Sequence, residues 1–276
     1  MHLSENSQYT IDIIVIGRLN NPLLIGACGI GGTFGAMTVI ALVFGLCTAL
    51  ETLCSQAFGA KNYLLYGRSV NRGIFCVTIL ISHFLIINLF SEDILKFIGF
   101  DPELAKYSSK YLIYQIPYMF MTMQFEVLRR FLLCQRETTI ALYAICVSAL
   151  THLSLSIIFV HWFKLHLIGI SISHSISMSI AIIIILIFIR CQKKFLKTWV
   201  PISKKDFQEW SKFLSLGLAG VAMILPEFWG FCMNGFFSGY CSKEQLSASY
   251  SLNQLSSISY NINLSLGISL CTLAGN

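Results

Sequence analysis

Acids set among apolar residues are the positions of this chain best able to do chemistry. Glu227 is flanked by Leu225, Phe228 and Trp229. An apolar setting disfavours a charged carboxylate, so such a group could exchange a proton or bind a cation near neutral pH. A proton and a cationic solute would then exclude one another at one carboxylate, the simplest physical basis for exchange. The alternative is a structural carboxylate satisfied by a neighbouring helix. Asp12 lies in a shorter apolar segment, Tyr9 to Ile16, and is read either as a second cation-binding acid or as a solvated one. Glu126 has Arg129 and Arg130 one turn on, so an i,i+3 or i,i+4 ion pair accounts for it.

Other chemistry finds little support. His161 and His166 bracket Trp-Phe-Lys-Leu with no third ligand close by, so no metal site is read there. The ten cysteines are scattered through apolar segments without metal-ligand spacing and read as packing groups. Gly26, Gly29, Gly31, Gly32 and Gly35 follow no strand, so they let helices approach rather than cradle a phosphate. No nucleophile–base pair is evident. The chain is therefore not read as an enzyme, with no catalytic residue and no cofactor beyond a coupling ion.

The elements that must position these acids follow from composition. Of 276 residues, 55% are hydrophobic and 12% charged, about half the charged fraction of a soluble domain, roughly 25%. Leu19 to Leu50, Gly73 to Ser91, Thr138 to Phe163 and Leu165 to Ile189 contain no Asp, Glu, Lys or Arg. Each approaches or exceeds the roughly 20 apolar residues that cross a bilayer core of about 30 Å. The chain reads as an all-α, polytopic membrane helix bundle in contact with lipid. Helices are expected near Leu24–Phe58, Ser69–Phe90, Tyr107–Cys134, Thr138–Val160, Leu165–Arg190 and Trp210–Phe237. A short interfacial helix is expected within Ser91–Lys106, and a Ser- and Asn-rich segment from Leu246 onward.

The net charge of +6 is explained by topology. If each apolar run crosses once, the basic clusters around Lys61–Arg72, Arg129–Arg136 and Arg190–Lys212 share one side. The excess of Lys and Arg there makes that side cytoplasmic. Nucleic acid is not needed as a partner. Residues 191–209 form a basic connector between 1–190 and 210–276. Across it runs a faint repeat: Gly17 to Ala27 resembles Gly239 to Ser249, each leaving an apolar helix through Gly and entering the next at Leu. The pairing implies a first helix without its beginning, since Gln8–Ile16 spans only about 13 Å.

Ala49-Leu-Glu-Thr-Leu-Cys-Ser-Gln-Ala-Phe-Gly-Ala-Lys-Asn-Tyr63 resembles the second-helix signature of eukaryotic multidrug and toxin extrusion (MATE) transporters. Ile116-Pro117 followed by Leu128-Arg-Arg-Phe-Leu132 and Gln135 is similar to the family's fourth helix. Trp210 through Trp229 is similar to its seventh. The resemblance implies an antiporter that expels small organic, cationic compounds in exchange for H⁺ or Na⁺. It also implies two six-helix lobes. Residues 1–190 would form the N-lobe with a shortened first helix, and 210–276 the first one to two helices of the C-lobe. Glu227 matches the family's seventh-helix glutamate. Asp12 matches the first-helix aspartate of bacterial-type relatives. Glu51 and Gln56 fall in the signature near a helix end, where gating or structural hydrogen bonding is expected. Cys232 is a departure, since several relatives carry a second glutamate there. Two other readings stand beside the antiporter. One is a transport-inactive fragment, an incomplete gene model or a half-transporter needing a second lobe or partner subunit. The other is a flippase-like carrier of the same superfamily. A plasma membrane and a vacuole-type membrane both suit the composition.

Overall fold

The computed structural model describes residues 2–208 and 210–274, and among them every regular element is helical. The α-helices are α1 (His2–Gly17), α2 (Pro22–Gly35), α3 (Ala41–Gly59), α4 (Tyr63–Ile87), α5 (Ser91–Ile98), α6 (Pro102–Leu133), α7 (Thr139–Ile157), α8 (His166–Cys191), α9 (Trp210–Phe237) and α10 (Lys243–Ala274). Among the described residues, five stretches are long and apolar enough to cross a membrane: Pro22–Gly59, Tyr63–Ile98, Thr139–Trp162, His166–Cys191 and Trp210–Tyr240. α6 has 32 residues, about 48 Å at 1.5 Å per residue, and carries Glu126, Arg129 and Arg130 along its second half. The chain is an integral, multi-pass membrane protein. The expected boundaries at 209 and 276 fall outside the described residues.

Local signals set the helix starts. Asn21 accepts a hydrogen bond from the Leu23 backbone N–H at 3.1 Å, with Pro22 opening α2. Asn62 caps α4 through Leu65 N–H, and Asp101 caps α6 through Leu104 N–H, each at 3.1 Å. These caps start α4 at Tyr63 rather than Ser69, and α6 at Pro102 rather than Tyr107. Charge at Arg68, Lys106 and Lys110 hides both starts in a hydropathy reading. Gly99, at φ +102°, ends α5 in the left-handed conformation, so Ser91–Lys106 is split between α5 and the first turn of α6. A π-helical stretch, Ala36–Ile40, interrupts the expected single helix between α2 and α3. α1 reaches back to His2 and has 16 residues, about 24 Å. It is longer than its apolar part implies and still short of a bilayer core.

α6 is the central post, packed by α2, α3, α4, α5 and α8. α1 lies against α7 and α10, and α9 runs along α3. Between helices in lipid, packing and hydrogen bonds replace the hydrophobic drive, so small residues mark the tightest crossings. At the α3–α9 crossing, a methyl group on Gly220 would stand 2.5 Å from the Gly45 carbonyl oxygen and closer still to Thr48 Oγ1. The outward faces stay apolar: Ile79, Phe84, Leu142, Leu150, Ile183 and Ile187 are exposed, as helices facing lipid require.

The connector is docked on the bundle. Phe195 is buried against Phe131 and Phe188. Asp206 is buried and accepts from Asn71 Nδ2 at 3.0 Å and from Ser203 N–H at 2.8 Å. At the other end of the bundle, Lys243 pairs with Glu103 at 2.6 Å and Tyr240 donates to the Ile98 carbonyl at 2.9 Å. The bond to Glu103 raises the Lys243 ammonium above its ordinary value. Both Gly17 and Gly239 lie in helix–turn–helix corners, α1–α2 and α9–α10. Of the polar residues on α10, Gln254 donates to Thr10 Oγ1 on α1 at 3.3 Å.

Candidate functional site

Four helices converge on one carboxylate. α1 presents Gln8 and Asp12 one turn apart on its buried face, beside Val15 and Ile16. Spacing of three and four residues puts side chains on one helix face, so α6 presents Tyr111, Gln115 and Tyr118 together. α7 presents His152 and Ser156 in the same way. α8 adds Ser173 and His174. Asp12, His152 and His174 are each fully buried, at 0% exposure.

The geometry accounts for both carboxylate oxygens. His152 Nε2 lies 2.9 Å from Asp12 Oδ1. His174 Nε2 lies 3.3 Å from Asp12 Oδ2, within ion-pair range but off the hydrogen-bond direction, so this buried nitrogen makes no hydrogen bond. Tyr111 donates its hydroxyl to the same oxygen at 3.4 Å. On the far side of the His174 ring, Gln115 Nε2 meets Nδ1 at 3.1 Å, and Ser156 Oγ lies beside the His152 ring at 3.3 Å from Nδ1 and 3.4 Å from Nε2. Ser156 in turn donates to Ser173 Oγ at 3.2 Å. The two imidazole rings sit 4.0 Å apart, with Tyr118 and Tyr9 packed on His174 at 4.6 and 5.7 Å. Gln8 donates to Ser148 Oγ at 3.0 Å, pinning α1 to α7 one turn away.

A buried ionised carboxylate is costly unless it is paired, and here two imidazoles and a phenol surround it. The cluster can hold a proton on any of three groups, or present one oxygen and two nitrogens to a cation. Asp12 is therefore neither solvated nor short of partners, as its segment alone allowed. Its partners come from α6, α7 and α8.

The other expected positions lie elsewhere. Glu227 is exposed on α9, a helix covered on one side only, where Gly217, Gly220 and Val221 meet α3 and Trp229 Nε1 donates to the Met37 carbonyl at 3.0 Å. Glu227 does not join the Asp12 cluster. Glu51 pairs with Arg130 at 3.2 Å, and Gln56 is exposed near the end of α3. Glu126 is 1% exposed, accepts from Arg129 at 3.0 and 2.7 Å, and also pairs with Arg130. His161 and His166 stay at the α7–α8 turn, away from the cluster. Reading the sequence missed His152 and His174. Their signal was a histidine inside each of two charge-free runs, since ionisable residues in such runs are functional by default.

Comparison with known proteins agrees with this architecture. The family model MatE matches residues 1–158. Protein DETOXIFICATION 27 of Arabidopsis thaliana is 33% identical over 224 residues, 79% of this chain and 42% of that protein. Protein DETOXIFICATION 14 of the same plant is 29% identical over 268 residues, 96% of this chain and 55% of that protein. Multidrug and toxin extrusion protein 2 of Mus musculus is 23% identical over 240 residues, 87% of this chain and 42% of that protein. Among solved structures, the eukaryotic MATE transporter AtDTX14 superposes with a TM-score of 0.79 at 26% identity, covering 94% of this chain and 59% of that one. The chain spans about half the length of the curated relatives it matches.

Proposed function

The chain belongs to the multidrug and toxin extrusion family, and on that premise we propose that it serves export of small organic, cationic compounds in exchange for inward H⁺ or Na⁺. Residues 1–190 act as one lobe, 191–209 as a basic linker on the cytoplasmic side, and 210 onward as the opening of a second lobe. The same reading gives a plasma or vacuole-type membrane as the site of action.

One observation carries the proposal: Asp12 is fully buried within the bundle, with imidazoles at both of its oxygens. A carboxylate so placed is stabilised whenever a cation occupies the cluster and penalised when none does. That difference is what a coupling site needs. Glu227, exposed on α9, suits a second role as the acid that meets the organic cation or the proton beside a facing lobe. Glu51 and Gln56, at the end of α3, suit gating through the Glu51–Arg130 pair. A flippase-like carrier finds less support, because the buried centre is an acid with two imidazoles rather than a basic pocket.

The test is efflux of a fluorescent organic cation from cells expressing the protein, under an imposed proton or sodium gradient. Asp12→Asn is expected to remove gradient-driven efflux while the protein still reaches the membrane. Undiminished efflux by that variant would sink the coupling role of Asp12.

A further inference from the structure

We propose that Asp12, His152 and His174 form a binding site for a divalent transition-metal ion of the zinc class. Three observations support it. The three side chains can each offer one ligand atom, all within 4.8 Å of one another. Zinc bonds of about 2.0–2.2 Å suit a cluster of this size, in which His152 Nε2 lies 2.9 Å from Asp12 Oδ1 and His174 Nε2 lies 3.3 Å from Asp12 Oδ2. His174 Nε2, fully buried and pointed into the cluster, makes no hydrogen bond.

The chemistry of the donors selects the ion. Two nitrogens and one oxygen suit zinc, copper, nickel or ferrous iron, whereas calcium and magnesium take oxygen ligands. Metal-bound histidines lean on a partner at the other ring nitrogen, which fixes their orientation. Gln115 holds that place for His174, while Ser156 Oγ lies beside the His152 ring, 3.3 Å from Nδ1 and 3.4 Å from Nε2. Turning the Gln115 amide by half a turn presents its oxygen to a protonated Nδ1 and frees Nε2 for the metal. Three protein ligands leave a fourth position open for water, as exchangeable zinc sites do. The inference goes beyond the transport reading and does not depend on it.

The experiment uses the full chain, purified in detergent, stripped with a chelator and titrated with Co²⁺, then with Zn²⁺ in competition. One equivalent of Co²⁺ giving tetrahedral visible bands, displaced by Zn²⁺, is expected. Asp12→Asn, His152→Ala and His174→Ala should each weaken binding by more than the roughly 10–100-fold that loss of an outer hydrogen-bond partner costs. Gln115→Leu, which keeps all three ligands, should weaken it within that range and preserve the bands. A His161→Ala/His166→Ala double variant should bind as the unaltered chain does. No saturable binding, or loss of it in that double variant, would overturn the proposal. Because a ligand variant could fail to fold, X-ray absorption of the zinc-loaded unaltered chain gives a second readout. Two imidazoles with oxygen are expected, and a sulfur shell would overturn the assignment. Efflux is not measured, so failure here leaves the coupling role of Asp12 standing.

Discussion

His152 Nε2 meets Asp12 Oδ1 at 2.9 Å across 140 residues of sequence, with both side chains fully buried. The pair ties α1 to α7 and is the shortest of the contacts at the carboxylate, with His174 at 3.3 Å and Tyr111 at 3.4 Å on the other oxygen. Removing one partner should hurt more than removing both.

His152→Leu leaves Asp12 short of its strongest partner. Breaking a buried pair costs about 3–5 kcal/mol, while replacing both partners with apolar groups is often near neutral. Thermal unfolding in detergent should show a large loss for His152→Leu and a partial recovery in the Asp12→Leu/His152→Leu double variant. A double variant no better than the single one would show that the pair is not the stabilising unit.

Glu126 is 1% exposed and faces two guanidinium groups, Arg129 and Arg130. Glu126→Gln leaves Arg129 without its carboxylate and Arg130 with Glu51 alone, and should cost about 3–5 kcal/mol. Glu92→Gln breaks the exposed i,i+4 pair with Lys96 and should cost far less, because solvent screens such a pair. Midpoints of thermal unfolding compared side by side check the contrast.

Gly220 and Gly230 lie ten residues apart on α9 and should answer substitution oppositely. A methyl group on Gly220 meets the Gly45 carbonyl and Thr48, whereas nothing lies within 4 Å of one on Gly230. Gly220→Ala forces α9 away from α3 and should cost about 1–3 kcal/mol. Gly230→Ala should be neutral or add about 0.4–1 kcal/mol. Proteolysis of the two variants in micelles, read as the rate of cleavage near residue 210, would rank them.

Glu227→Gln separates function from stability. The side chain is exposed, so the free energy of unfolding should stay within about 0.5 kcal/mol of the unaltered chain, while gradient-driven efflux should fall at least tenfold if the acid meets substrate. Efflux equal to the unaltered protein would remove Glu227 from the mechanism.

The bundle was legible because lipid imposes one rule, about 20 apolar residues per crossing, and Leu19–Leu50, Thr138–Phe163 and Leu165–Ile189 obey it. The Glu126 ion pairs were legible because they are local to one helix. The π-helical stretch at Ala36–Ile40 was not, since the residue types there differ little from an ordinary apolar helix. The Asp12 centre was half legible. Asp12 stood out as an acid in an apolar run, but His152 and His174 looked like polar punctuation among serines. Only the packing of α1 against α7 and α8 brings the three together, and no periodicity within one helix records that.

The same long-range centre has a consequence for biosynthesis. At roughly 5–20 residues per second, about 7–30 s separate the emergence of Asp12 from that of His152, 140 residues later. The Gln254–Thr10 bond comes 244 residues apart and closes later still. Until then the Asp12 carboxylate lacks its partners, and a charged side chain is costly in lipid. The contacts of α1 with α7, α8 and α10 can close only after all three have been made, so α1 is translated well before it is held in place.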